Sequence, residues 1–334
     1  MTGFSIEDGR EPNLLSQHNT ALLPPSDQTL VGCKWRTLYG DHQCPDPEIN
    51  FYHYFGPTDA SRMKVNPLEK NSLQEILWDP HKHNIIYIHG YGSGDSDIPT
   101  TILRDAYLNN GSYNVFVVDW SAYSKIPCYS SAVHNINAVA KCTAQFYRSL
   151  RSQGVRSDRI TCVGHNLGAH GCGLISKHVN FRINKIIGLD PAGPMVPSSS
   201  KLKSGMANYV QAIYTNAGRF ADSISNGRVN ICINGGKAQP NCKNSTIGSD
   251  LCSHLVSVCY MAESIAGSIT RRAQPCARQC PFGSRKGQGP GRPVLVGQLT
   301  PDKVTGSYCL FTNDEPYCTK NGNKYGHPWC CTAK

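Results

Sequence analysis

Four short apolar runs constrain most strongly what this chain can fold into: Ile85-Ile86-Tyr87-Ile88, Val115-Phe116-Val117-Val118, Ile160-Thr161-Cys162-Val163 and Ile186-Ile187-Gly188-Leu189. Each is nearly apolar throughout instead of alternating, the pattern of strands covered on both faces. Between the second and third runs lies a helical stretch over residues 132–150. Its apolar positions Val133, Ile136, Ala140, Ala144, Tyr147 and Leu150 recur every three or four residues and make one stripe. Arg148 and Arg151 suit the negative end of that helix dipole. Strand, helix and strand in this rhythm imply an α/β fold with a mostly parallel central sheet, helices on both faces and right-handed crossovers.

The texture changes at both ends. Residues 1–32 read as an extended lead-in, and 33–334 as one domain whose last stretch, 266–334, is a disulfide-rich tail of irregular structure. The sixteen cysteines point to an oxidising compartment, hence to a secreted, extracellular protein. No CxxC pairs or Cys/His clusters stand at ligand spacing, so no metal is expected. Residues 1–32 hold only short apolar pairs such as Leu14-Leu15 and Leu22-Leu23, without an export-signal core, which reads as a chain whose leader has been removed or, as the second choice, one exported unconventionally. Asn110-Gly111-Ser112 and Asn244-Ser245-Thr246 are glycosylation sequons that fit a secretory route. No apolar run approaches the roughly 18 residues of a membrane span, so a soluble protein is expected.

The net charge of +10 points toward an acidic partner or surface. Its densest patch is Arg271, Arg272, Arg278, Arg285, Lys286 and Arg292, with no acidic residue among them. Phe282 is nearly the only aromatic there, which argues against a nucleic-acid partner. A solvated Gly- and Pro-rich loop, an anionic membrane surface and a glycosaminoglycan are the three readings of that patch.

Chemistry concentrates at Gly164-His165-Asn166-Leu167-Gly168, which follows a strand and opens a helix. This is the setting of the G-x-S-x-G elbow, in which a sharp turn lifts the central side chain above the sheet and the flanking glycines let strand and helix pack closely. Asp190 follows the next buried run in Gly188-Leu189-Asp190-Pro191, and His254 comes later in Cys252-Ser253-His254. The order nucleophile, acid, histidine is the one used by α/β-hydrolases. His89-Gly90-Tyr91 follows the first run, where an oxyanion-hole loop belongs, its donors being the backbone N–H groups of Tyr91 and Leu167.

With these residues stand Cys44-Pro45-Asp46-Pro47, Val118-Asp119-Trp120, Tyr214-Thr215-Asn216-Ala217-Gly218, Asn234-Gly235-Gly236 and, more loosely, Pro316-Tyr317-Cys318. In this order they resemble the pancreatic lipase and phospholipase A1 family, and its insect lipase and venom phospholipase branch in particular. The resemblance implies the α/β-hydrolase fold, no cofactor, and position 166 as nucleophile with Asp190 as acid and His254 as base. It also implies a lid between Cys242 and Cys252, joined as a disulfide, and short enough for a phospholipid or other polar ester. The second surface loop, from Pro194 to Tyr209, is short as well and carries Lys201 and Lys203. Cys33 with Cys44 and Cys128 with Cys142 are the next disulfides expected. Cys162 and Cys172 read as buried thiols or as a disulfide, His165 and His170 as packing residues, and Asp119 as a structural aspartate.

The departure from the family is Asn166. A serine works because histidine takes its proton while the oxygen attacks, whereas an amide nitrogen has a delocalised lone pair and offers no such oxygen. The expected protein is therefore a catalytically impaired homologue that binds lipid or another hydrophobic ligand. An active esterase seen with its serine replaced is one alternative, and a basic, disulfide-rich surface-binding or storage protein is another. Asparagine tolerates the positive φ of an elbow better than most residues, and its amide oxygen is expected to reach the oxyanion-hole N–H groups.

Overall fold

The computed structural model describes residues 32–36, 43–69, 71–267, 269–277, 280–281, 289–319 and 326–331. The strands are β1 (Asn50–Tyr54), β2 (Arg62–Val65), β3 (His83–Ile88), β4 (Tyr113–Asp119), β5 (Ile160–His165), β6 (Lys185–Leu189), β7 (Tyr209–Tyr214), β8 (Val229–Ile233), β9 (Arg272–Pro275), β10 (Val294–Leu295) and β11 (Gly306–Leu310). They form one sheet in the order β10-β9-β11-β8-β7-β6-β5-β3-β4-β1-β2. From β11 through β4 every pairing is parallel. The β1–β2 hairpin and the β9–β10 pair add antiparallel margins.

Among the described residues four α-helices cover this sheet: α1 (Ile98–Asn110), α2 (Tyr129–Ser152), α3 (Leu167–Leu174) and α4 (Ser249–Ala266). Strand pleating sorts the apolar runs between the two faces. Ile86, Ile88, Phe116, Val118 and Cys162 pack with the α2 and α3 side chains, including Ile136, Phe146, Leu167 and Cys172. Ile85, Tyr87, Val115, Val117 and Val163 pack on the other face with α1 and α4, including Ile102, Tyr107, Val258 and Met261. The mostly parallel sheet with helices on both faces is the one the apolar runs predict. Helix α2 runs a little beyond 132–150 at both ends, with Arg151 in its last turn. No helix among the described residues is long and apolar enough to cross a membrane.

Two expectations are corrected here. The stretch after residue 266 is not merely irregular: it contributes β9, β10 and β11, and β11 continues the parallel register on β8. Its strands are too short to leave a periodic signal, and pairing with an existing edge supplies what periodicity does not. The N-terminal pairings also differ, because Cys33 bonds Cys128 and Cys44 bonds Cys142. Cys128 precedes α2 and Cys142 lies well inside it. At ~1.5 Å of rise per residue they stand about 20 Å apart, far beyond disulfide reach. Residues 33–36 and 43–44 instead lie along α2, where Asn135 Oδ1 accepts from Arg36 N, Asn135 Nδ2 donates to Lys34 O and Gln145 Nε2 donates to Cys44 O.

Eight disulfides use all sixteen cysteines. Cys242–Cys252 closes the short loop before α4, and Cys162–Cys172 ties β5 to α3 across the turn between them. The basic patch is smaller than its sequence suggests, because Arg271 is engaged by Glu263 and Asp314. Arg272 and Arg292 are exposed, whereas Arg278, Phe282, Arg285, Lys286 and the lead-in 1–31 lie outside the described residues.

Candidate active site

Asn166 caps the end of β5 and opens α3 with φ 56° and ψ −120°, a backbone conformation that few side chains accept. The close packing behind it explains the two glycines. A Cβ on Gly164 would sit 2.2 Å from Gly168 O, and one on Gly168 would sit 2.0 Å from Ile88 O. Neither backbone oxygen can yield, so Gly164 and Gly168 are obligatory for the turn.

The chain brings Asn166, Asp190 and His254 together from three separate elements. Asp190 stands at the end of β6 with positive φ and is fully buried. Its Oδ1 accepts from the N–H groups of Thr215 (2.7 Å) and Asn216 (3.0 Å), while its Oδ2 accepts from His254 Nδ1 at 2.6 Å. With Nδ1 protonated, His254 Nε2 presents a lone pair, and Asn166 Nδ2 donates to it at 2.8 Å. The other end of the amide, Oδ1, accepts from Tyr91 N at 3.3 Å. Swapping the amide atoms would set donor against donor at Tyr91, so the bonding fixes the orientation. Of the two expected oxyanion donors Tyr91 is therefore bonded to the Asn166 side chain. Leu167 opens α3, where its N–H has no helical acceptor, and it makes no bond to Oδ1.

The surroundings hold this arrangement rigid. Fully buried His89 accepts from Trp120 N at Nε2 (3.1 Å) and donates from Nδ1 to Gly90 O (2.9 Å), which fixes the loop carrying Tyr91. The Tyr91 ring meets Tyr129 edge-on at 4.9 Å, and Tyr129 OH donates to Pro194 O. Asp119 Oδ1 lies 3.4 Å from His89 Nε2 and accepts from Ser121 N, a supporting place beside the loop. His170 donates from Nε2 to Ala192 O and accepts from Leu202 N, and burial pushes its pKa down to about 4. His165 packs its ring 4.5 Å from that of His254, and its pKa is driven well below the usual histidine value by burial and then by the His254 neighbour.

The lid is compact. A turn at Pro240–Cys242 leads through exposed Asn244 to Gly248 and α4, which carries His254 two residues past Cys252. Lys201 pairs with Asp222 at 3.0 Å, whereas Lys203 is exposed. Asn110 is exposed at the end of α1, its Nδ2 donating to Ile265 O.

The residue pattern leaves several supporting groups unmarked. Buried Gln239 donates from its side chain to Thr215 O and Ile233 O and from its backbone N–H to Ser253 Oγ, joining the Asp190-binding loop to the helix that carries His254. Asn216 Nδ2 donates to Asp250 Oδ1 across the same seam. The block Tyr214-Thr215-Asn216 is visible in the sequence, but its backbone donors carry no side-chain signature. Phe220, whose ring lies 5.5 Å from that of His254, gives no sequence signal either.

Comparison with known proteins places this geometry. The Lipase family model matches residues 38–295, well over half of the chain. The chain belongs to the lipase family. Phospholipase A1 member A from Bos taurus is 34% identical to this lipase homologue over 79% of the chain and 62% of its own length. Phospholipase A1 VesT1.02 from Vespa tropica is 30% identical over 76% of the chain and 88% of its own. Phospholipase A1 1 from Vespa affinis is 31% identical over 72% and 77% respectively. The chain thus spans less than two thirds of the bovine relative and most of the two wasp proteins. The family membership and the parallel sheet together identify the architecture as that of an α/β-hydrolase.

Proposed function

We propose that this lipase-family protein binds the ester region of a phospholipid or a related lipid without turning it over. The observation that carries the reading is the Asn166 amide, which bridges His254 Nε2 and Tyr91 N. The base has its lone pair occupied by a group that cannot become an oxygen nucleophile, and one oxyanion donor is filled by the same side chain. Names of relatives that act as phospholipases A1 support a phospholipid or other polar ester as the ligand class. Eight disulfides fit an oxidising, extracellular setting, and the proposal includes secretion, a glycan on Asn244 and a single domain over 33–334. The exposed Arg272 and Arg292 would face an anionic surface, either a membrane or a glycosaminoglycan.

A second reading draws on a different observation. Asp190 and His254 keep the full bonding of an acid–base pair, as a serine hydrolase needs. On that reading the scaffold is a phospholipase A1 with its serine replaced. One set of measurements separates the two: phospholipid and short-chain ester hydrolysis, with liposome binding, for the chain and for Asn166→Ser. Binding without turnover by the chain supports the first reading, and turnover by the chain overturns it. A gain of turnover in Asn166→Ser supports the second.

A further inference from the structure

The conformation that the elbow imposes on Asn166 has a chemical consequence for Asn166 itself. Tetrahedral geometry and L-chirality place Cβ about 120° from the backbone nitrogen around the Cα–C bond. The observed ψ of −120° therefore eclipses the Leu167 nitrogen with the Asn166 Cβ. That alignment is the one needed to close a five-membered ring between the Leu167 nitrogen and the side-chain Cγ. Asparagines elsewhere rarely reach it, because ψ near this value belongs to a sparsely populated region. Here the turn holds that backbone torsion in the ground state, so only the side-chain rotation that brings Cγ onto the Leu167 nitrogen remains to be made.

The groups around the side chain favour the same reaction. Tyr91 N–H lies 3.3 Å from Oδ1, where negative charge develops when Cγ becomes tetrahedral. His254 Nε2 lies 2.8 Å from Nδ2, the leaving nitrogen, and is itself oriented by Asp190 at 2.6 Å. The Leu167 N–H is not used by α3, so its loss breaks no helical hydrogen bond. A retained acid–base pair and oxyanion donor thus face an amide in the protein's own chain.

We infer that Asn166 is a self-modification site, converting to a succinimide and then to aspartate or isoaspartate. The Leu167 nitrogen bonds to Cγ and the Cγ–Nδ2 bond breaks. The Leu167 amide proton departs on Nδ2 as ammonia, with His254 Nε2 placed to hand it over. Water then opens the imide at either carbonyl. The product replaces the Nδ2 donor with a carboxylate, so that contact with His254 Nε2 persists only when His254 carries a second proton. None of this depends on whether the site binds lipid.

The test incubates the full-length protein at neutral pH and maps its peptides by mass spectrometry, in the folded state and after reduction in denaturant. Asn110-Gly111, Asn226-Gly227 and Asn234-Gly235 serve as internal clocks, because glycine places little bulk on the attacking nitrogen. Asn166 is expected to lose ammonia at least several-fold faster folded than denatured, opposite to the Asn-Gly pairs, and His254→Gln is expected to slow it several-fold. An Asn166 that reacts no faster folded than denatured overturns the inference. An unchanged rate in a folded His254→Gln protein overturns the part assigned to His254.

Discussion

The two sides of the site differ in how completely their bonding matches a working hydrolase. On the acid side, Asp190 holds two backbone donors and the His254 proton, and every bond is one that a catalytic pair would make. On the nucleophile side the same elbow geometry is present, with obligatory glycines and positive φ, but the side chain it presents is an amide and not a hydroxyl. The lesson is that a triad scaffold of this kind accommodates an amide at the elbow without losing the bonding of its acid–histidine pair. Asparagine fits because it reproduces the serine's donor to Nε2 and adds an acceptor toward Tyr91 N.

The sharpest way to test this contrast is to restore the missing atom. If only the nucleophile separates the two sides, Asn166→Ser should raise ester turnover by roughly 10³- to 10⁶-fold over the unmodified chain. A serine variant that folds, binds liposomes and still fails to hydrolyse would show that the acid side is not competent either. The next effect is read in that serine background. Asp190→Asn should lower turnover by roughly 10⁴-fold, because an amide there no longer selects the His254 tautomer that leaves Nε2 free. A loss of less than about tenfold would mean that Thr215, Asn216 and the ring contacts orient His254 without the carboxylate.

How much of this was legible in the residues follows the same division. The elbow, Asp190 and His254 could be placed because their types and order are imposed by chemistry, and the parallel sheet because its strands are uniformly apolar. The N-terminal disulfides could not, since residues 33–36 lie along α2 and sequence proximity misleads where chain direction decides. The tail strands were missed for a related reason. β10 has two residues and β9 four, too few to show a period, and their place is set by the edge that β8 offers to β11. Gln239 was invisible because its role is three-dimensional, one residue joining Thr215, the end of β8 and α4 through its side-chain and backbone amides.

That tail supplies the next test, because it anchors the helix that bears His254. Buried Glu263, near the end of α4, accepts from Arg271 Nη2 (3.3 Å) and Tyr317 N (2.9 Å). Glu263→Ala leaves Arg271 without its main partner in a largely buried position and should cost about 3–5 kcal/mol in denaturant unfolding. If the acid side depends on this anchor, the His254 Nδ1 proton, seen downfield by NMR, should exchange faster in the variant. A stability loss with unchanged exchange would confine the tail's contribution to folding.

The smallest effect concerns the underside of the elbow. His170, on α3, has a pKa lowered from 6.5 to about 4 by burial, although its bond to Ala192 O opposes the shift. The group is a base, so the unfolded chain takes up its proton first as pH falls. Stability is therefore complete above about pH 6.5, declines between 6.5 and about 4, and levels off below the folded value. For a single group the loss at pH 5 relative to pH 7 is on the order of 2 kcal/mol. His53 and His83 are shifted likewise to about 4, so the whole chain should lose more than this. Comparing urea unfolding of the chain and of His170→Gln at the two pH values isolates the elbow's share, since the other histidines cancel in the difference. The variant should start less stable, lacking the bonds to Ala192 and Leu202, yet lose less on acidification. An equal loss in both proteins would mean that His170 is solvated in the folded state, and the nucleophile side would then be looser than the acid side it faces.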